Sequence, residues 1–150
     1  SRDEALRIMS SGNIGPFAMF AGVIYLAIKL YLAVKIAPPL FLPVFVLSRW
    51  GMSFSAAISK PAKNRGMCTQ ITFGNTKYII LSSLYLPFLF FFANSFLLAG
   101  SIALLSVINF VIVKLIERKI GGLTGDSFGL INEIDELTVM LVIFLSRGIQ

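Results

Sequence analysis

"FAMFAGVIYLAIKLYLAV", Phe17 to Val34, carries one charged residue, Lys29, in an otherwise apolar run. About 20 mostly apolar residues in a helix span the hydrocarbon core of a bilayer, and this stretch reaches that length within boundary error. Similar blocks follow at about Leu40 to Ile58, Tyr78 to Phe92, Phe96 to Val113 and Phe128 to Leu145. Gly15-Pro16, Pro38-Pro39, Pro61 and Gly121-Gly122 punctuate them, as breakers do between helices. Pro43 and Pro87 lie inside apolar runs, where a kink is tolerated in lipid. The pattern predicts an all-α, polytopic helical membrane protein with about five transmembrane helices. No internal repeat or low-complexity tail divides residues 1–150, which read as a single helical membrane domain.

Composition supports this class. Of the residues, 57% are hydrophobic and 13% charged, and the mean hydropathy is +0.86. A soluble domain carries about 25% charged residues, enough to cover its surface. A membrane barrel would need short segments of alternating polarity, which are not seen here. There is no His and the only Cys is Cys68, so a zinc site of the usual His/Cys kind is not expected. Any metal would be a hard ion such as magnesium, held by carboxylates.

The net charge of +6 is explained by topology. With the first segment (Arg2, Arg7) in the cytoplasm, alternation places Lys60, Lys63, Arg65 and Lys77 there too, together with Lys114, Arg118 and Lys119. The opposite side receives only Lys29, Lys35 and Arg147. The positive-inside rule favours this orientation. Once the charges are distributed in this way no compact basic face remains, and nucleic acid is not an expected partner.

Four of the 7 acidic residues fall in "GGLTGDSFGLINEIDEL", Gly121 to Leu137. On a helix from about Thr124, Glu133 lies within roughly 20° of Asp126 and Glu136 within roughly 80°, whereas Asp135 lands on the opposite side. Asn132 extends the polar sector. Asp126 and Glu136 are about 15 Å apart along the axis, too far to chelate one ion together. Asp126 in a first turn is accounted for by the helix dipole. Glu133 and Glu136 are not: ionisable groups at that depth mark functional sites by default. Arg49, in "FVLSRWGMSFS", raises the same question. Its two readings are a buried ion pair with Glu133 or Glu136, and a donor to phosphate through its planar fork. The glycines before Asp126 would let a phosphate approach the backbone, and Lys60, Lys63 and Arg65 lie near the same membrane face.

These stretches together resemble the cobalamin synthases, the adenosylcobinamide-GDP ribazoletransferases. "ERKIGGLTGDSFGLINEIDEL" is similar to the family's C-terminal signature, in which Gly-Gly-x-Thr-Gly-Asp is followed by a Gly and then by Glu on the next helix. "LSRWGM", "KPAKNRGM" and "SRDEALRIMSSGNIGPFA" resemble further family segments, in the family's order. Arg7, Ser11 and Asn13 stand at places where the family often has other residues, two of them acidic. An acidic segment usually precedes the region matched by "SRDEALRIM", so the expectation is the C-terminal part of a longer family domain. The resemblance implies a membrane enzyme late in vitamin B12 synthesis. It would join adenosylcobinamide-GDP to α-ribazole or its 5′-phosphate, release GMP and use magnesium, with its active site facing the cytoplasm. Carried over onto this chain, the roles are catalytic for Asp126 and Glu133, and metal-binding for Asp126, Glu133 and Glu136. Arg49, Lys63, Arg65, Thr124 and Gly125 would bind substrate. The competing readings are another membrane phosphoalcohol transferase, and a transporter or assembly subunit built on buried Arg/Glu pairs. Whether the protein is a homo-oligomer is left open.

Overall fold

The structure is a computed structural model, and it describes residues 2–12, 14–62 and 73–147. The described residues form, in order, α1 (Arg2–Ser11), α2 (Pro16–Lys35), α3 (Phe41–Ile58), α4 (Lys77–Ser83), α5 (Ser95–Ile120) and α6 (Gly125–Arg147). Short 3₁₀ turns cover Pro38–Leu40 and Leu86–Phe91.

Local chemistry sets the ends of these helices. Pro16 opens α2 at a position where its missing N–H costs nothing, and the two prolines at 38 and 39 follow its end. The Asn94 side chain caps α5 by accepting from Phe96 N at 3.0 Å. Gly121 closes α5 in the left-handed conformation (φ 83°), donating its N–H to Glu117 O at 2.9 Å. Arg118 and Lys119 in the last turn complement the helix dipole. Thr124 starts α6: its hydroxyl accepts from Ser127 N at 3.2 Å, three residues on.

Among the described residues, three helices are long and apolar enough to cross a membrane: Pro16–Lys35, Pro38–Ile58 and Ser95–Ile120. The five expected spans are therefore not all present as such helices. The block at Tyr78 to Phe92 folds into the seven-residue α4 and a 3₁₀ turn. Pro87 is the physical reason: it removes a backbone donor and disfavours the α conformation in the residue before it. The fifth block does form a 23-residue helix, α6, but its carboxylates keep it out of that apolar class.

Helices α3, α5 and α6 pack mutually and form the core. One apolar cluster gathers Val44 and Leu47 of α3, Leu105 of α5 and Val139 and Ile143 of α6, joined by Leu32 of α2. A second, at the other end, holds Ala56, Val113, Phe128 and Ile131. Helix α2 touches α6 along one edge and leaves Phe17, Phe20, Val23 and Leu30 exposed. A helix apolar on all sides with so little of it covered is suited to a lipid surroundings. By this measure the surface suits a membrane protein.

The connections predicted to share one membrane face do meet. The segment after α3 pairs with the turn after α5, with Ala62 N donating to Leu123 O at 2.9 Å and Leu123 N to Lys60 O at 2.8 Å. Arg2 at the start of α1 donates to Ala62 O at 2.9 Å. Three segments far apart in sequence thus converge at one end of the bundle.

Candidate functional site

At this end the Gly121–Asp126 turn is pressed against residues 60–62. A Cβ on Gly122 would collide with Lys60 O and would stand 2.7 Å from Pro61 C and 2.8 Å from Ala62 N. The obstruction is backbone, which cannot swing aside, so the docking requires glycine. Gly125 has open space around it, and Asp126 is exposed on the first turn of α6. Asp126 lines a groove of about 620 Å³ between α1, α5 and α6, with Ile112, Leu115, Lys119, Leu130 and Ile134 among its walls. Thr124, expected to bind substrate, spends its hydroxyl on the α6 cap and a 3.0 Å contact with Ser127 Oγ. Lys63 and Arg65 lie outside the described residues.

Deeper along α6 the polar face is gathered into one network. Tyr25 Oη donates to Glu133 Oε2 at 2.5 Å, and Lys29 Nζ reaches the same oxygen at 2.5 Å. Lys29 also lies 2.8 Å from Glu136 Oε2. Arg49 donates to Asn132 Oδ1 and stands 3.5 Å from Glu136 Oε1, which accepts from Asn132 Nδ2 at 2.9 Å. Two cations and two carboxylates from three helices therefore balance within the bundle. Such charges are costly in a bilayer unless paired, and here each is. Of the two readings of Arg49, the ion pair with Glu136 is present. The phosphate-donor reading survives alongside it, because the Arg49 side chain remains 61% exposed and lines a cavity of about 380 Å³ with Trp50, Ser53 and Tyr85.

The sequence placed Asp126, Glu133 and Glu136 on one helical face, and the structure splits that face. Helix α2 lies over the Glu133–Glu136 side, whereas Asp126 opens toward α1 and α5. The small angular offset between Asp126 and Glu133 suffices, because neighbouring helices occupy the two flanks. Among the described residues, no group of three or more His, Cys, Asp or Glu side chains comes together as a metal set.

Lys29, a topogenic charge on sequence grounds, lies within α2 with its side chain only 23% exposed, against two carboxylates. A lone lysine among apolar residues, one turn after Tyr25, was the available signal. Asp135 does point away from the others, as predicted. It is fully buried and accepts from Asn109 Nδ2 at 3.0 Å, and both side chains lie against Gly51 of α3. Neither Asn109 nor Gly51 carries a periodicity that would have identified it.

Comparison with known proteins gives the family of the chain. The family model described as "Cobalamin-5-phosphate synthase" matches residues 1–144. The adenosylcobinamide-GDP ribazoletransferase of Fervidobacterium nodosum is 36% identical over 144 residues, covering 95% of this chain and 59% of that protein. That of Kosmotoga olearia is 32% identical over 147 residues, covering 97% of this chain and 62% of that protein. The chain thus spans about three fifths of the length of these relatives. No solved structure matches it. With the family model covering nearly the whole chain, and with the Gly121–Asp126 turn and the α6 carboxylates built as described, the chain belongs to the cobalamin-5-phosphate synthase family.

Proposed function

We propose that the protein of which this chain forms at least part transfers the corrinoid phosphate of adenosylcobinamide-GDP to α-ribazole or its 5′-phosphate and releases GMP. A ribazole hydroxyl oxygen forms the new bond to the phosphorus bearing the corrinoid, and the bond from that phosphorus to the GMP oxygen breaks. Such chemistry depends on positioning and charge stabilisation more than on covalent participation by the protein. Arg49, held by Asn132 and Glu136 yet open to a cavity, is suited to contact the diphosphate. Exposed Asp126 lines the separate groove between α1, α5 and α6, and is suited to hold a hydroxyl of the substrate there. Lys63 and Arg65, in the basic segment after residue 62, remain proposed substrate contacts.

The observation that carries this reading is the backbone docking of the Gly121–Asp126 turn against residues 60–62. It ties the start of α6, with its exposed carboxylate, to the segment that carries Lys60 at one end of the bundle. A transporter has no use for that convergence, and membership of this family does not favour it.

Magnesium belongs to the reading as a proposed cofactor that would neutralise diphosphate charge. The side chains described here do not fit a complete site for it. Asp126 offers a single carboxylate, and Glu133 and Glu136 are engaged by Lys29, so no step is assigned to the metal. The proposed setting is the cytoplasmic (inner) membrane with the Gly121–Asp126 end facing the cytoplasm, supported by the clustering of Arg2, Lys60, Arg118 and Lys119 at or near that end.

The test uses the full-length protein in lipid vesicles with adenosylcobinamide-GDP and α-ribazole. Asp126→Ala is expected to abolish ribazole-dependent GMP release while membrane insertion is unchanged. Retained activity would rule out the role of Asp126, and absence of the reaction in the unaltered protein would rule out the function.

A further inference from the structure

The Glu133–Glu136 pair has the look of a metal site on sequence, two carboxylates nearly one turn apart on a helix in a hydrophobic chain. The geometry points to a different occupant: we propose that the Lys29 ammonium is the resident cation of this pair, and that it holds the two glutamates in place of a divalent ion.

Three of the four carboxylate oxygens are engaged. Glu133 Oε2 receives both Tyr25 Oη and Lys29 Nζ at 2.5 Å. Glu136 Oε2 faces Lys29 Nζ at 2.8 Å, and Glu136 Oε1 takes Asn132 Nδ2 at 2.9 Å with Arg49 beyond it at 3.5 Å. Magnesium requires oxygen lone pairs at about 2.0–2.1 Å in near-octahedral array. Here those lone pairs already accept hydrogen bonds, and two positive side chains flank the position a third cation would take. The Glu136 side chain is 8% exposed and that of Glu133 45%, so only the Glu133 side could admit the water ligands magnesium retains.

The arrangement has a structural consequence. Helix α2 packs chiefly along α6, and Lys29 and Tyr25 supply a polar part of that contact. A tethered ammonium delivers one charge to two carboxylates without dependence on ion concentration, and it arrives with its helix. Glu136, neutralised on one side by Lys29, then orients Arg49 on the other. Lys29 is on this argument a positioning residue, and the proposal holds whatever reaction the protein catalyses.

Manganese serves as the probe, by electron paramagnetic resonance of free Mn²⁺ titrated against the full-length protein in vesicles. The number of Mn²⁺ ions bound per chain is expected to be the same in the unaltered protein and in Glu133→Gln/Glu136→Gln. Lys29→Gln is expected to gain one Mn²⁺ per chain, Lys29→Arg to gain none, and Lys29→Gln/Glu133→Gln/Glu136→Gln to lose the gained site. Loss of a bound ion in Glu133→Gln/Glu136→Gln would overturn the proposal, because the pair would then be the metal site. Failure of well-folded Lys29→Gln to gain an ion would overturn it as well. Should Lys29→Gln not assemble, the comparison between the unaltered protein and Glu133→Gln/Glu136→Gln decides the matter alone.

Discussion

Replacing Gly51 by alanine tests the packing on which the rest of the site depends. Gly51 faces the buried Asn109–Asp135 hydrogen bond at the junction of α3, α5 and α6. An added Cβ would overlap Asp135 Oδ2 and would stand 2.7 Å from Asn109 Nδ2 and 3.0 Å from Asp135 Cγ. Both side chains are fully buried and packed, so relief comes only by separating α3 from α6 or by breaking that bond. Overpacking of a dense core costs about 1–3 kcal/mol, and a buried polar group stripped of its partner costs about 1–3 kcal/mol more. The two overlap as alternative routes of relief, so a loss of about 3 kcal/mol is the reasonable figure. For a chain of this size that lowers the melting temperature by about 6–12 °C. The assay is thermal unfolding of detergent-solubilised Gly51→Ala beside Gly51→Ala/Asp135→Ala, in which the obstructing carboxylate is gone. The second variant should recover part of the loss relative to Asp135→Ala alone. A melting temperature unchanged in Gly51→Ala, or additive effects in the pair, would refute the proposed contact between α3 and Asp135.

Further expectations concern the site itself. Gly122→Ala should displace the Gly121–Asp126 turn from residues 60–62 and suppress GMP release strongly while insertion is preserved, checked by activity and by protease sensitivity of that end. Arg49→Lys keeps the charge but loses the fork, and a lost charged hydrogen bond of about 1.5–3 kcal/mol corresponds to roughly 10- to 100-fold slower transfer, read in steady-state kinetics. Tyr25→Phe removes one donor to Glu133 while leaving Lys29 in place, so the expected cost is about 1 kcal/mol of stability, measured by thermal unfolding. With Cys68 replaced, a cysteine introduced at Lys60 should resist labelling from outside intact cells; labelling there would invert the orientation.

The α6 carboxylates show where reading from the sequence stops. Helical periodicity correctly separated Asp135 from Glu133 and Glu136, because the angle between residues on one helix is a local property. It could not separate Asp126 from Glu133, which differ little in angle. That division arises from α2 covering one flank and α1 and α5 the other. Lys29 was visible as a charge but not as a partner: hydropathy assigns a charge to a depth, whereas only packing assigns it a neighbour. The block from Tyr78 to Phe92 is apolar enough to be expected as a span, and its folding as α4 and a 3₁₀ turn follows from Pro87, which hydropathy does not weigh.

By itself, the sequence determined the membrane class, the helical content, the Gly-Gly-x-Thr-Gly-Asp turn, and the gathering of basic segments at one end. Each follows from composition, from short-range backbone rules, or from the alternation of a chain crossing a bilayer. Tertiary structure alone decided that Lys29 closes on Glu133 and Glu136, that Gly51 makes room for Asn109 and Asp135, and that Asp126 faces a separate groove. These pairings join residues tens to over a hundred positions apart, and they depend on which helices become neighbours and at what rotation. That choice is made by the packing of the whole bundle.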